Sequence, residues 1–183
     1  MDILKEIDLS FRVVPSRYVE KPDHRLQPGE LTMQHALGKT RAAVLPAGKK
    51  PKTREIVLGA DTVVYFEGKS LGKPGSYAEA EALLARMSGR VHYVYTGVAL
   101  VERRTGETIV RSDQTKVKFR RWTRGRIASY VRVARSLDKA GGYAIQCLPS
   151  IVLSYQGSLS NVIGLPKELL YRMLRDMNSR LSK

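Results

Sequence analysis

Residues Ile56 to Phe66 constrain the fold more than any other stretch, because a strand-type run, Ile56-Val57-Leu58 and Val63-Val64-Tyr65-Phe66, is interrupted by one acid, Asp61, within Gly59-Ala60-Asp61-Thr62. β-Branched and aromatic residues suit a pleated, half-buried surface, and Glu67-Gly68 supplies a turn beyond them. Leu71-Gly72-Lys73-Pro74 follows, so the Asp61 carboxylate and the Lys73 ammonium, twelve positions apart, are expected on one hairpin. An acid at such a place is costly to bury without a partner. Two readings are open here: a structural Asp bonded to nearby backbone amides, or a catalytic group.

With 183 residues, 43% apolar and 27% charged, the chain can bury a real core as one domain or as two closely joined lobes. No run approaches the ~18 apolar residues of a membrane span. Met1-Asp2-Ile3-Leu4-Lys5-Glu6 lacks the basic start and apolar stretch of a signal peptide, so a cytoplasmic location and no membrane partner are expected. The single Cys147 excludes an internal disulfide and offers no cysteine set for structural zinc.

Thirty-two Lys and Arg against 17 Asp and Glu give a formal charge of +15, which directs attention to an anionic partner. The charge is dispersed: Lys49-Lys50-Pro51-Lys52 reads as a solvated loop, and Arg120-Arg121 with Arg124 and Arg126 crowds a helix start. No basic stripe interleaved with aromatics is present to stack single-stranded bases. Nucleic acid is therefore not the expected partner.

Along the chain, strand and helix patterns alternate without repeats. Phe11-Arg12-Val13-Val14 reads as a short strand ended by Pro15, and Glu30 to Leu45 as a helix stopped by Pro46. Ser76-Tyr77-Ala78-Glu79 is a capping-box pattern ahead of Ala80, Leu83, Leu84 and Met87, with Gly89 past the helix end. Val91 to Val101 and Thr108 to Phe119 read as a hairpin turning at Thr105-Gly106. Ile127, Tyr130, Val131 and Ala134 mark a helix face, Ile151 to Tyr155 a late strand, and Leu169, Leu170, Met173, Leu174 and Met177 a closing helix after Pro166. The expected fold class is mixed α/β.

A second cluster is Leu137-Asp138-Lys139-Ala140-Gly141-Gly142-Tyr143-Ala144-Ile145-Gln146. Small residues let backbone approach a ligand, Lys139 offers a charge for phosphate, and Gln146 can donate and accept as a base edge requires. Spacing alone equally fits a helix terminus at Gly141-Gly142 with Asp138 and Lys139 paired on the surface.

Several stretches together resemble the Maf family of nucleoside triphosphate pyrophosphatases, also called septum formation inhibitors. They are Phe11 to Ser16 with Glu20, Ala36 to Lys39, Gly59 to Val64, Leu71 to Pro74, Ser88 to His92, Thr96 to Leu100, Asp138 to Gln146, and Asn161 to Pro166. The resemblance runs from about Asp8 to Asp176. It implies one Maf-like domain over residues 1–183, an elongated mixed sheet with helices like that of inosine triphosphate pyrophosphatases, two lobes about a central cleft, and a homodimer. The implied reaction cleaves a nucleoside triphosphate between its α and β phosphates, giving monophosphate and pyrophosphate, with Mg²⁺ or Mn²⁺.

Matched residue by residue, the family's general base falls on Asp61 and its metal-site acid on Glu20, with Asp61 also at the metal. Lys39 and Lys73 match phosphate-contacting lysines, with Lys139 assisting. A hard cation with oxygen ligands and lysines beside a leaving pyrophosphate make chemical sense. Thr62, Gln146 and Asn161-Val162-Ile163-Gly164-Leu165-Pro166 resemble the branch acting on dTTP and UTP, modified pyrimidine triphosphates included. Discrimination would come from wrong bases leaving buried polar groups unpaired.

Three departures from the family pattern stand beside these matches. Family members open with a strand and Ser-x-Arg-Arg; here the sequence opens Met1-Asp2-Ile3-Leu4-Lys5, and the expectation is a domain without that strand and motif. Arg135-Ser136 replaces a common Glu-Pro, and Cys147-Leu148-Pro149 a Gly-rich turn. The alternative function is then a catalytically impaired, nucleotide-binding or septum-regulating paralogue.

Overall fold

The computed structural model describes residues 2–6, 9–21, 23, 25–43 and 53–182. Val44 to Pro46, expected to end a helix, and the Lys49-Lys50-Pro51-Lys52 loop lie outside the described residues. Among those described, no helix is long and apolar enough to cross a membrane.

Among the described residues, five strands, β1 (Ile56–Phe66), β2 (Lys69–Leu71), β3 (Val91–Glu102), β4 (Thr108–Phe119) and β5 (Val152–Gln156), form a sheet in the order β2-β1-β3-β4-β5. The helices are α1 (Asp2–Glu6), α2 (Pro28–Arg41), α3 (Tyr77–Met87), α4 (Arg124–Val133), α5 (Leu159–Ile163) and α6 (Lys167–Leu181). The mixed α/β class expected from the sequence is therefore the observed one. Two compact units divide the chain: Met1–Asp61, Thr96–Asp113 and Gly164–Lys183 make the first, Thr62–Tyr95 and Gln114–Ile163 the second.

In the first unit, Val98, Leu100 and Ile109 of the hairpin strands bury against Leu169, Leu170, Met173 and Met177 of α6. Each such side chain contributes roughly 1.5–3 kcal/mol. Leu174, expected in this core, is half-buried at its edge. The β3–β4 turn forms where Thr105-Gly106 predicts it, with the Glu102 carboxylate accepting from the Thr105 amide at 2.6 Å and hydroxyl at 2.7 Å. That carboxylate reinforces the turn beside the backbone bond from Gly106 N–H to the Glu102 carbonyl.

The second unit has its own core, in which Ala80, Leu84 and Met87 of α3 and Ile127, Tyr130 and Val131 of α4 pack with Val64, Val94, Val117 and Phe119. Leu83 packs against it half-buried. Antiparallel pairing of β1 with β2 joins Val64 to Leu71 and Phe66 to Lys69, so the expected hairpin exists and Lys73 lies two residues past its last pair. At the start of α3 the capping box forms by half: Ser76 Oγ accepts from the Glu79 amide at 3.1 Å, while the Glu79 carboxylate takes the Gly75 amide at 2.7 Å instead of the cap's own.

Three expectations need correction. Phe11 to Val14 forms no strand; Phe11 and Val13 are exposed, and among the described residues the isolated bridge nearby is that of Ser16 with Ala43. β-Type composition makes a strand only where a neighbour offers its backbone groups. α2 begins at Pro28 and ends at Arg41, where Ala42 leaves the helical path and Ala43 turns to pair with Ser16. Asp138 and Lys139 do not form the surface pair: both are exposed, no ion pair joins them, and short 3₁₀ turns at Ser136–Asp138 and Ala140–Gly142 replace a helix terminus.

Candidate active site

Gly59 on β1 sets the separation between strand and helix in the first unit. A Cβ there would stand 2.7 Å from the Ala36 carbonyl oxygen and collide with the Thr40 hydroxyl, so only glycine lets β1 approach α2 this closely. Two residues along the strand, Asp61 consequently meets α2 at His35 and Lys39, which share a helix face because they are four apart.

A strap formed by residues 16–21 closes the cluster. Ser16 Oγ donates to the Lys39 carbonyl at 2.9 Å, Arg17 N–H donates to the Ala42 carbonyl at 3.0 Å, and the Tyr18 ring lies 5.8 Å from that of His35. This lays Glu20 beside the helix. Lys39 Nζ then sits 2.6 Å from Asp61 Oδ1 and 2.7 Å from Glu20 Oε1, bridging two carboxylates. Burial works against the Lys39 ammonium, but its hydrogen bonds to Asp61 and Glu20 and their charges outweigh that effect, and its pKa lies above the ordinary lysine value.

Asp61 and His35 are both buried, and His35 Nδ1 lies 3.3 Å from Asp61 Oδ2. His35 Nε2 lies 3.1 Å from the Lys21 carbonyl oxygen. A carbonyl only accepts, so Nε2 carries the hydrogen. In the neutral ring Nδ1 then turns a lone pair toward the carboxylates, an arrangement that calls for a cation or a second proton. Backbone carbonyls commonly orient metal-ligating histidines in this way. Glu20, His35 and Asp61 each offer one donor atom, and these atoms all lie within 4.8 Å of one another. Two carboxylate oxygens and one imidazole nitrogen fit a divalent cation, with Mn²⁺ better suited than Mg²⁺ to the nitrogen.

Of the residues singled out in the sequence, the structure brings Glu20, Lys39 and Asp61 together in the first unit. His35 was missed, although its spacing of four from Lys39 was a usable signal. The Asp61 carboxylate meets side chains, not the backbone amides of the structural reading. Thr62, Lys73, Lys139 and Gln146 belong to the second unit. There Gly141 N–H donates to the Gly72 carbonyl at 2.9 Å, joining the turn of Lys73 to that of Lys139. Lys73, Lys139 and Gln146 are exposed, and Thr62 is half-buried. Gly141 has φ +68°, and a Cβ there would stand 2.7 Å from a Val64 methyl. Its smallness serves packing of the turn on the sheet.

The Maf-like protein family matches residues 1–177, which is nearly the whole chain. The chain belongs to this family. Among its relatives, the dTTP/UTP pyrophosphatase of Gloeobacter violaceus is 41% identical over 181 residues, covering 98% of this chain and 92% of that protein. The dTTP/UTP pyrophosphatase of Moorella thermoacetica is 42% identical over 166 residues, covering 90% and 83%. That of Bacillus cereus strain Q1 is 35% identical over 178 residues, covering 97% and 90%. The Maf-like chain thus spans most of each relative's length, and the stretches that carry Asp61 and Gln146 lie inside the match.

Proposed function

We propose that this Maf-like chain is a nucleoside triphosphate pyrophosphatase that hydrolyses dTTP and UTP to the monophosphate and pyrophosphate. The observation that carries this is the buried Asp61 carboxylate held between Lys39 and His35, in a chain similar over 98% of its length to a protein named for that activity. In the reaction a water oxygen bonds to the α phosphorus, the bond from that phosphorus to the α–β bridging oxygen breaks, and pyrophosphate leaves with the bond's electrons. Asp61 is assigned the proton of the attacking water, which requires hydrogen-bond reach to it.

A divalent cation, when bound, would neutralise phosphate charge, and Glu20, His35 and Asp61 would hold it. Lys39, which bridges Glu20 and Asp61 here, is assigned to a phosphate oxygen, and Lys73 and Lys139 to the outer phosphates, where each acts as a point charge. Thr62 and Gln146 are assigned to the base. A homodimer, which the family resemblance supports, and a cytoplasmic location complete the proposal.

Incubation with a panel of nucleoside triphosphates plus Mg²⁺ or Mn²⁺ tests it. Equimolar monophosphate and pyrophosphate from dTTP and UTP, ahead of purine triphosphates, is expected. Release of inorganic phosphate alone, a preference for 7-methyl-GTP, or nucleotide binding without turnover would overturn it, the last in favour of the impaired paralogue.

A further inference from the structure

In the second unit, the segment between α4 and β5 has no regular structure beyond two short 3₁₀ turns, yet its middle is held by buried polar side chains from two neighbouring elements. Tyr130 of α4 grips one residue twice: its hydroxyl donates to the Ala144 carbonyl at 3.0 Å and accepts from the Ala144 amide at 3.1 Å. His92 of β3 bonds the adjacent Tyr143 hydroxyl through Nε2 at 2.9 Å. His92, Phe119 and Tyr143 stack edge to face, with centroids 4.6 to 5.3 Å apart.

Apolar residues of the same size would fill this volume without burying hydroxyls and an imidazole, one of whose nitrogens, Nδ1, has no partner among the described residues. Burying such groups costs free energy that packing alone does not require. What the network gains is a fixed position for Ala144. That residue opens a tight turn, closed by the bond from Cys147 N–H to the Ala144 carbonyl at 3.1 Å, and Gln146 is the turn's third residue. The Ala144 carbonyl therefore anchors both the turn and the clamp. Gln146 stands exposed on a loop whose base is locked.

We infer that Tyr130, together with the His92–Tyr143 pair, is a positioning element for base selection, holding the Ala144–Cys147 turn so that Gln146 meets a pyrimidine already oriented. The assignment rests on Gln146 as the base-reading residue. Ordering a free loop at the moment of binding lowers affinity, and a loop ordered beforehand avoids that loss. Removing the clamp should therefore weaken binding and selectivity while leaving the chemical step alone.

The test compares Tyr130→Phe, Tyr143→Phe, Gln146→Ala and the double variant Tyr130→Phe/Gln146→Ala with the parent chain, on dTTP and dATP, with amide hydrogen exchange of residues 144–147 read in parallel. Tyr130→Phe should raise KM for dTTP and erode the preference over dATP by about tenfold, the scale of a lost buried hydrogen bond, with kcat within about twofold and the Ala144 amide exchanging faster. Tyr143→Phe should do the same more weakly. In the Gln146→Ala background, Tyr130→Phe should have no further effect on selectivity. Faster exchange with unchanged KM and selectivity, or fully additive losses in the double variant, would overturn the positioning role while leaving Gln146 as base reader. Unaltered selectivity in Gln146→Ala would overturn both.

Discussion

Around Asp61 the two central groups, Asp61 and His35, are buried and tied to Lys39 and to a backbone carbonyl, while Lys39 is half-buried and Glu20 lies at the exposed rim. In the second unit Lys73, Lys139 and Gln146 stand exposed, and the side chains that hold the turn of Gln146, namely His92, Tyr130 and Tyr143, are buried. The two arrangements suit different tasks. A carboxylate that must act on water is made effective by a fixed, partly dry setting with compensating charge, and a charge so placed has to be paired. A side chain that must meet a mobile ligand needs access, so rigidity is supplied from below by neutral groups.

The largest effect that would break this contrast is at Asp61. Asp61→Asn keeps the size and most of the packing, and turnover of dTTP should fall by about 10²–10⁴-fold, the range of general-base contributions. A folded Asn variant, established by an unchanged near-ultraviolet circular dichroism spectrum, that retains full turnover would remove the buried carboxylate from the chemistry. His35 sharpens the same side. His35→Ala should weaken Mn²⁺ binding by roughly tenfold to a hundredfold, read by calorimetry or electron paramagnetic resonance without nucleotide. An unchanged Mn²⁺ affinity would leave His35 as a partner of Asp61 only.

On the other side, His92 gives a signature in stability. Burial pushes its pKa down to about 3 from an ordinary value of 6.5. The folded chain thus keeps His92 neutral where the unfolded chain takes up a proton. Stability from this residue is fully present above pH 6.5 and is lost as pH falls toward 3, at about 1.4 kcal/mol per unit. Denaturant titrations between pH 7 and pH 5 should show a smaller loss for His92→Phe, which keeps the aromatic stacking; equal slopes would mean that His92 is not held neutral.

How legible each region was in the sequence follows from how local its determinants are. Asp61 within its strand run, the Thr105-Gly106 turn and the apolar faces of α3, α4 and α6 are set by neighbours a few residues away, and each stands where the pattern places it. The short elements α1, β2 and α5, three to five residues each, carry no period to read and depend on contacts from elsewhere. Phe11 to Val14 had strand composition but, among the described residues, no strand to pair with. In the candidate site, Asp61 stood out as the acid within a strand run, Glu20 and Lys39 were named from family likeness, and only the fold shows that the Lys39 ammonium joins the two acids. The clamp on Ala144 was not legible at all, because Tyr130, His92 and Tyr143 become neighbours only after α4 and β3 have folded.

The division of labour is tested most directly by one ratio, kcat/KM for dTTP over that for dATP, measured in Glu20→Gln and Gln146→Ala beside the parent chain. Glu20 is half-exposed, so its substitution spares the core. Glu20→Gln should lower both substrates together and leave the ratio unchanged. Gln146→Ala should lower dTTP by about 1–3 kcal/mol, the usual consequence of an unsatisfied polar partner, and collapse the ratio toward one. A ratio that moves with Glu20→Gln, or one that survives Gln146→Ala, would contradict the separation of chemistry from selection.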